Sequence, residues 1–337
     1  KMVMPSIYLS PSTQEYNPYI CGGNEEMYMN LIADEMEPWL ISNGISFTRN
    51  TPDMTAASSI AQSNEGNYDL HLALHSNAAP PALAGTLQGS IVFYNPDRSQ
   101  SKRAAEILAD YLRQIYPQPD LVSAQPTDYL GEVLKTKAPG ILIEYAFHDN
   151  CQDATWIRNN IPLLAKTTVE ALTEYFGIPF VQAQPPRSAV VQVSSGCLNI
   201  RSRPNTKSTI LRCVPNGHRL TVVGTLPDWY VVQDGGQPGY AASRFIRLIS
   251  CSRRQKKSGR RPESKLRPVY RKICKRKRYK DTPKRPHLPQ SRRFSFHKAL
   301  NLKRCPLQSQ QAPLSVSKKF DTLPGGIPYP LDTPLGS

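Results

Sequence analysis

No run of about 18 apolar residues occurs anywhere in this 337-residue chain, so no membrane-spanning helix is expected. CxxC spacing is missing as well. The seven cysteines stand singly at Cys21, Cys151, Cys197, Cys213, Cys251, Cys274 and Cys305. Their spacing excludes a zinc ribbon and a thioredoxin-like motif. The odd count and irregular pattern argue against a disulfide framework and predict free thiols. Lys1 and Met2 lead straight into strand-like sequence, so no signal peptide is expected. Convincing internal repeats are also lacking.

Acidic residues are scarce in one region only. The first 250 residues hold about 18 Lys+Arg against about 22 Asp+Glu. The remaining 87 hold about 24 against about 4, so the formal charge of +16 belongs to the tail. A basic charge confined to one end does not make the body a nucleic-acid binder, and no specific nucleic-acid partner is expected.

Over residues 6–180, short apolar runs alternate with longer helical patterns, the rhythm of an α/β sheet. Strands are predicted at 6–9, 45–48, 70–75, 90–94 and 141–145. The spacing predicts an amphipathic helix over Glu25–Ser42, with Met29, Ile32, Met36 and Leu40 on one face. Asn24 is its expected N-cap, and Gly44 its stop. Further helices are predicted at 101–115 and 161–175. A Gln/Pro linker, 181–187, leads to short alternating strands broken by Gly, Pro and Asn. After residue 250 the composition turns to Arg, Lys, Pro, Ser and Gln without periodicity.

Three segments of the first region carry candidate chemistry. They are Asn24-Glu25-Glu26, the run from Asp69 to Ala78 around His75, and the run from Gly140 to Asn150 around Glu144 and His148. In an open α/β sheet, the carboxyl ends of strands and a helix start converge on one crevice. Imidazole and carboxylate suit a hydrolytic zinc ion, and a further carboxylate can serve as general base. Taken singly, Glu25 also reads as a helix-dipole partner, and His75 as a structural strand-end histidine. Glu144 stands apart, because a charge capping Gly-Ile-Leu-Ile is costly to bury without a role.

In order and spacing these segments resemble the zinc-dependent N-acetylmuramoyl-L-alanine amidases with an open α/β fold. The resemblance also takes in Phe47-Thr-Arg49, Gly89 through Tyr94, and Lys137-Ala-Pro-Gly140. It implies that Glu25 and His75 bind zinc and that Glu144 is the catalytic base. Asn77 and Asn150 become candidate substrate-binding residues. The sequence departs from the family at one place. A zinc-binding His normally follows the first strand, but here the turn reads Ser10-Pro11-Ser12-Thr13-Gln14. A neutral hydroxyl or amide is a poor zinc ligand. His71 shares a strand face with His75, yet a four-residue strand separation is about 13 Å, too far for one ion. His148, four residues past Glu144, is the candidate replacement, giving Glu25, His75 and His148. A structural or substrate-binding His148 stays open beside that reading.

Gly196-Cys-Leu-Asn-Ile-Arg-Ser-Arg-Pro204, with Trp229-Tyr-Val-Val232 and Gly239-Tyr-Ala-Ala-Ser243, resembles bacterial SH3-like domains. Such a domain implies attachment near peptidoglycan, and Trp229 and Tyr230 read as core or as ligand contacts. The expected organisation is therefore an amidase domain over 1–180, an open mixed sheet with helices on both faces. The linker 181–187, a small all-β SH3-like barrel over 188–250 and a disordered basic tail over 251–337 follow. The expected activity is hydrolysis of the muramic acid–L-alanine amide, at a cell wall or outside the cell, by a monomer without membrane contact. Whether an autolysin or a phage endolysin is at hand stays open. The alternatives are a wall-binding pseudo-amidase lacking zinc and a polyanion binder driven by its tail, which itself also reads as an appended segment without a selected fold.

Overall fold

A computed structural model describes residues 4–249 apart from Gly236, and the expected basic tail lies outside the described residues. Six strands form the first sheet: β1 Ser6–Pro11, β2 Ser46–Arg49, β3 Leu70–Asn77, β4 Ser90–Tyr94, β5 Val122–Pro126 and β6 Gly140–Phe147. Their order is β2-β1-β3-β6-β4-β5. β4 runs antiparallel to β6 while the other pairings are parallel, so the sheet is open and mixed, as expected.

The helices are α1 Glu25–Ser42, α2 Ala56–Glu65, α3 Ser99–Arg113, α4 Gly131–Leu134, α5 Cys151–Asn159 and α6 Ile161–Phe176. α1 begins where its cap dictates: the Asn24 side chain accepts the Met27 amide, satisfying one of the orphan donors of the first turn. Met29, Ile32, Met36 and Leu40 are fully buried, the stripe that a 3.6-residue period lays on one side. α1, α3 and α6 cover one face of the sheet and share its large core with Ile7, Leu72, Ile141 and Tyr145. The other face is covered thinly. α4 packs on β3 and β6 and α2 packs on α4, over a small cluster of Ala73, Phe93, Val133 and Leu142.

Seven further strands follow: β7 Arg187–Val191, β8 Cys197–Arg201, β9 Ile210–Pro215, β10 Arg219–Leu226, β11 Trp229–Gln233, β12 Gly239–Ala242 and β13 Ile246–Leu248. They form one antiparallel sheet in the order β13-β7-β10-β11-β12-β8-β9. Its core holds Val191, Leu198, Ile200, Val222, Val232 and Ala241. The expectation of free thiols fails here, because a disulfide joins Cys197 to Cys213. Pairing of β8 with β9 sets Asn199 opposite Cys213, two residues from Cys197, and linear spacing does not reveal that register. Cys21 and Cys151 also meet, with sulfurs 3.6 Å apart.

The second sheet packs on the end of α1. The Asn43 amide donates to the Val181 carbonyl at 3.0 Å, and the Val181 amide donates back to its Oδ1 at 2.6 Å. Met4 and Val181 form one buried cluster with Val223, Val231 and Tyr240. Gly224 is needed at this contact, since a Cβ there would lie 2.2 Å from the Ser42 carbonyl oxygen.

Candidate active site

Strand alternation decides what faces the thin side of the sheet. In β3, Leu70, Leu72 and Leu74 enter the large core, which leaves His71, Ala73 and His75 on the opposite face. In β6, Ile141, Ile143 and Tyr145 do the same, which leaves Leu142 and Glu144 there. Parallel register sets His75 directly beside Glu144. Only the short helices α2 and α4 roof this face, so the imidazoles need polar partners from them or from the sheet edge.

Those partners form a continuous buried chain. His75 Nδ1 donates to Glu25 Oε1 at 2.8 Å, and His75 Nε2 donates to Glu132 Oε2 at 3.0 Å. Glu132, on α4, accepts from His71 Nε2 at 3.2 Å through its other oxygen, which also takes the Ser10 hydroxyl. His71 Nδ1 is closed off by the Ser63 hydroxyl at 2.9 Å. Glu25 is held in turn by Asn17, which donates to Oε2 at 2.7 Å and also to the side chain of Gln14. Burial opposes the charge on Glu132, but the hydrogen bonds from His71 and His75 outweigh it and hold the carboxyl far below its usual range. Burial also opposes ionisation of Glu25, and the His75 contact overcomes it and lowers the carboxyl. For His75, burial favours the neutral ring, yet Glu132 and Glu25 together push it well above its ordinary value.

Glu144 has the opposite environment. Its Oε2 is buried without a hydrogen-bond partner. Burial drives its carboxyl up to about 8, a rise opposed by His75 and reinforced by the charge of Glu25. Two carboxyls in one crevice are thus pushed in opposite directions, an arrangement typical of acid–base sites. A small cavity of about 140 Å³ opens against His75 and Glu132, walled by the loop 10–14 and by Asn50, Thr55 and Ser59.

The structure brings Glu25, His75 and Glu144 together and does not bring His148 to them. His148 is buried, donates through Nδ1 to the Ser76 carbonyl at 2.8 Å and stacks on Tyr19. Asn150 caps α5, accepting the amides of Gln152 and Asp153, and donates to the Gly85 carbonyl. Asn77 accepts the Ala78 amide, and its carbonyl takes the His148 amide at 2.8 Å. Glu132 went unnoticed in the sequence, where Leu130-Gly-Glu-Val-Leu134 reads as an ordinary helical turn. A face carrying two histidines signals that an acid must cover it, but not which one.

Residues 16–174 match the family described as N-acetylmuramoyl-L-alanine amidase, and residues 196–247 match the bacterial SH3 domain. The first domain belongs to the N-acetylmuramoyl-L-alanine amidase family. No curated protein matches the chain. Among solved structures, the amidase AmiC2 of Nostoc punctiforme is 14% identical, with a TM-score of 0.46, and covers 52% of this chain and 99% of its own. The catalytic domain of the amidase CwlV from Bacillus (Paenibacillus) polymyxa var. colistinus is 15% identical, with a TM-score of 0.45, and covers 52% of this chain and 100% of its own.

The amidase family implies zinc, and the donors here can be tested against it. Glu25 Oε1 and His75 Nδ1 are two adjacent donors. The third place, after β1, falls on Thr13 or Gln14, and Gln14 accepts from Asn17. Among the described residues, no group of three or more His, Cys, Asp or Glu is arranged to hold a metal ion. A catalytic zinc ordinarily takes about three protein ligands. The amidase domain does not fit that site, and the expected set of Glu25, His75 and His148 is not assembled, because Ser76 and Tyr19 hold the imidazole of His148.

Proposed function

We propose that the amidase domain hydrolyses the amide between muramic acid and L-alanine in peptidoglycan, with Glu144 as the group that moves the proton. The observation that carries this reading is a buried carboxyl with an unpartnered oxygen, set beside His75 of the adjacent strand, which Glu25 holds from the start of α1. Glu144 takes a proton from the attacking water and delivers it to the departing amine of L-alanine. A carboxyl whose pKa is lifted to about 8 is suited to both halves of that transfer near neutral pH. The substrate places the action at a cell wall or outside the cell. The SH3-like domain holds the chain on peptidoglycan, with a groove of about 380 Å³ lined by Trp229, Asn199, Arg201 and Arg244.

A second reading is favoured by the turn Ser10–Gln14, which lacks the family's His: a wall-binding protein with little or no turnover. One experiment separates the two. The full chain is incubated with purified peptidoglycan, new L-alanine amino groups are counted, and zinc is measured in the same sample. Amine release that disappears in Glu144→Gln supports hydrolysis. Wall binding with no release in the parent supports the second reading.

A further inference from the structure

We propose that Glu132 is a positioning residue for this site, fixing the His75 ring from behind so that Nδ1 is the nitrogen turned toward Glu25. The inference rests on the amidase reading for its effect on turnover, but its geometry stands apart from it. Glu132 and Glu25 lie on opposite edges of one imidazole, 3.0 Å from Nε2 and 2.8 Å from Nδ1. Glu25 approaches from the N-terminus of α1 and Glu132 from α4, so the ring is clamped by two elements that cover different faces of the sheet. An imidazole hydrogen-bonded at one nitrogen only can rotate about its side-chain bonds or exchange its tautomer. One held at both cannot.

Glu132 is itself over-determined, which suits it to hold something else still. One of its oxygens takes the Ser10 hydroxyl and His71 Nε2, leaving the second for His75 alone. Ser10 receives Asn50 Nδ2 at 3.3 Å, and Asn50 also donates to the Pro11 carbonyl and the Ser59 hydroxyl at 3.0 Å each. The support thus runs from β1, α2 and β3 to a single carboxylate. His71 belongs to this support and not to the reacting groups, since it is fully buried and both its nitrogens are taken. For metal-ligating imidazoles, losing the partner on the far nitrogen typically lowers activity or affinity about 10- to 100-fold, and that range is the scale taken for a ring clamped between two carboxylates.

Glutamine is the informative replacement. It keeps the shape of Glu132, but one of its two terminal groups is an NH2, so it cannot accept on both sides. Either His75 or the His71–Ser10 pair then loses its acceptor. In the full chain, Glu132→Gln is expected to lower kcat about 10- to 100-fold with KM within about twofold. Long-range proton–nitrogen spectra of the same 15N-labelled protein read the ring directly. The parent should show a protected Nε2 proton on His75, identified by its loss in His75→Gln, and Glu132→Gln should lose or broaden it. Glu132→Ala should be at least as severe, and melting curves establish that each variant is folded. A folded Glu132→Gln with kcat within about threefold of the parent and an unaltered His75 signal overturns the assignment. If the parent shows no turnover, the amidase reading fails alone, and the His75 signal by itself decides whether Glu132 positions the ring.

Discussion

The two domains handle charge in opposite ways. Residues 1–187 carry a balance of roughly −9 and residues 188–249 roughly +5. In the first domain the consequential charges are inside: Glu25, His71, His75, Glu132 and Glu144 are all buried. In the second they are outside, where Arg219, Arg244 and Arg247 face solvent around a small apolar core. Buried charge is expensive unless paired, so the first domain invests a large core and a two-sided sheet in holding a few groups in place. Exposed charge needs only a scaffold, and a single antiparallel sheet with one disulfide suffices. The first arrangement suits chemistry, and the second suits attachment to a large ligand.

The strongest way to break this contrast is to remove the carboxyl whose Oε2 is buried without a partner. Glu144→Gln should lower amine release about 10²- to 10⁴-fold without loss of fold. It should also reveal the cost of burying that carboxyl. Its folded pKa of about 8 lies above the ordinary 4.5, so the unfolded chain ionises first as pH rises. Glu144 therefore contributes a loss of stability that begins near pH 4.5 and levels off above about 8, and the glutamine variant lacks that contribution. Melting temperatures should diverge across that window, with the variant the more stable on the alkaline side. A constant difference from pH 4.5 to 8 would falsify the buried-acid account.

The same contrast can be sharpened from the second domain. Replacing Cys197 and Cys213 with serine should cost about 2–4 kcal/mol, given a closed loop spanning 16 residues. Wall binding should weaken with it, whereas turnover on soluble fragments should persist. Gly224→Ala should cost about 1–3 kcal/mol, because the new Cβ collides with the Ser42 carbonyl across the interface. Differential scanning calorimetry should then resolve two transitions where the parent gives one. If the variant melts like the parent, the two sheets are not energetically joined at that point. Smallest is Asn24→Ala, expected to cost about 1 kcal/mol through loss of the α1 cap, read from urea unfolding.

Much of the scaffold was legible in the sequence because it is written in periodicity. The 3.6-residue stripe from Met29 to Leu40 and the Asn24 cap give α1 its observed bounds, and the apolar runs give five of the six strands in the first sheet. Strand β5 was not foreseen, since Val122–Pro126 carries only one deeply buried residue and no alternation. The site was legible where a residue ends an apolar run, as Glu144 does, or opens a helix, as Glu25 does. Glu132 was not, because its meaning lies in a contact with His75 across 57 residues. The roof of the thin sheet face is set by how α4 folds back, and no local pattern encodes that. His148 shows the converse: its place near the sheet edge was foreseeable, but the Ser76 carbonyl that claims its nitrogen was not.

The contact between Asn43 and Val181 has a consequence for the order in which the molecule folds. It closes the end of α1 with a residue 138 positions away, and the cluster around it reaches from Met4 to Tyr240. Contacts of such separation form late, since the intervening chain must be ordered or looped out before they return anything. During synthesis α1 emerges before the second domain, and its end is not fully covered until β10, β11 and β12 exist. The second domain therefore finishes the first one's oldest helix. Chains stopped short of residue 240 should leave Met4 and Val181 bare and be cleared by proteases sooner than the complete protein.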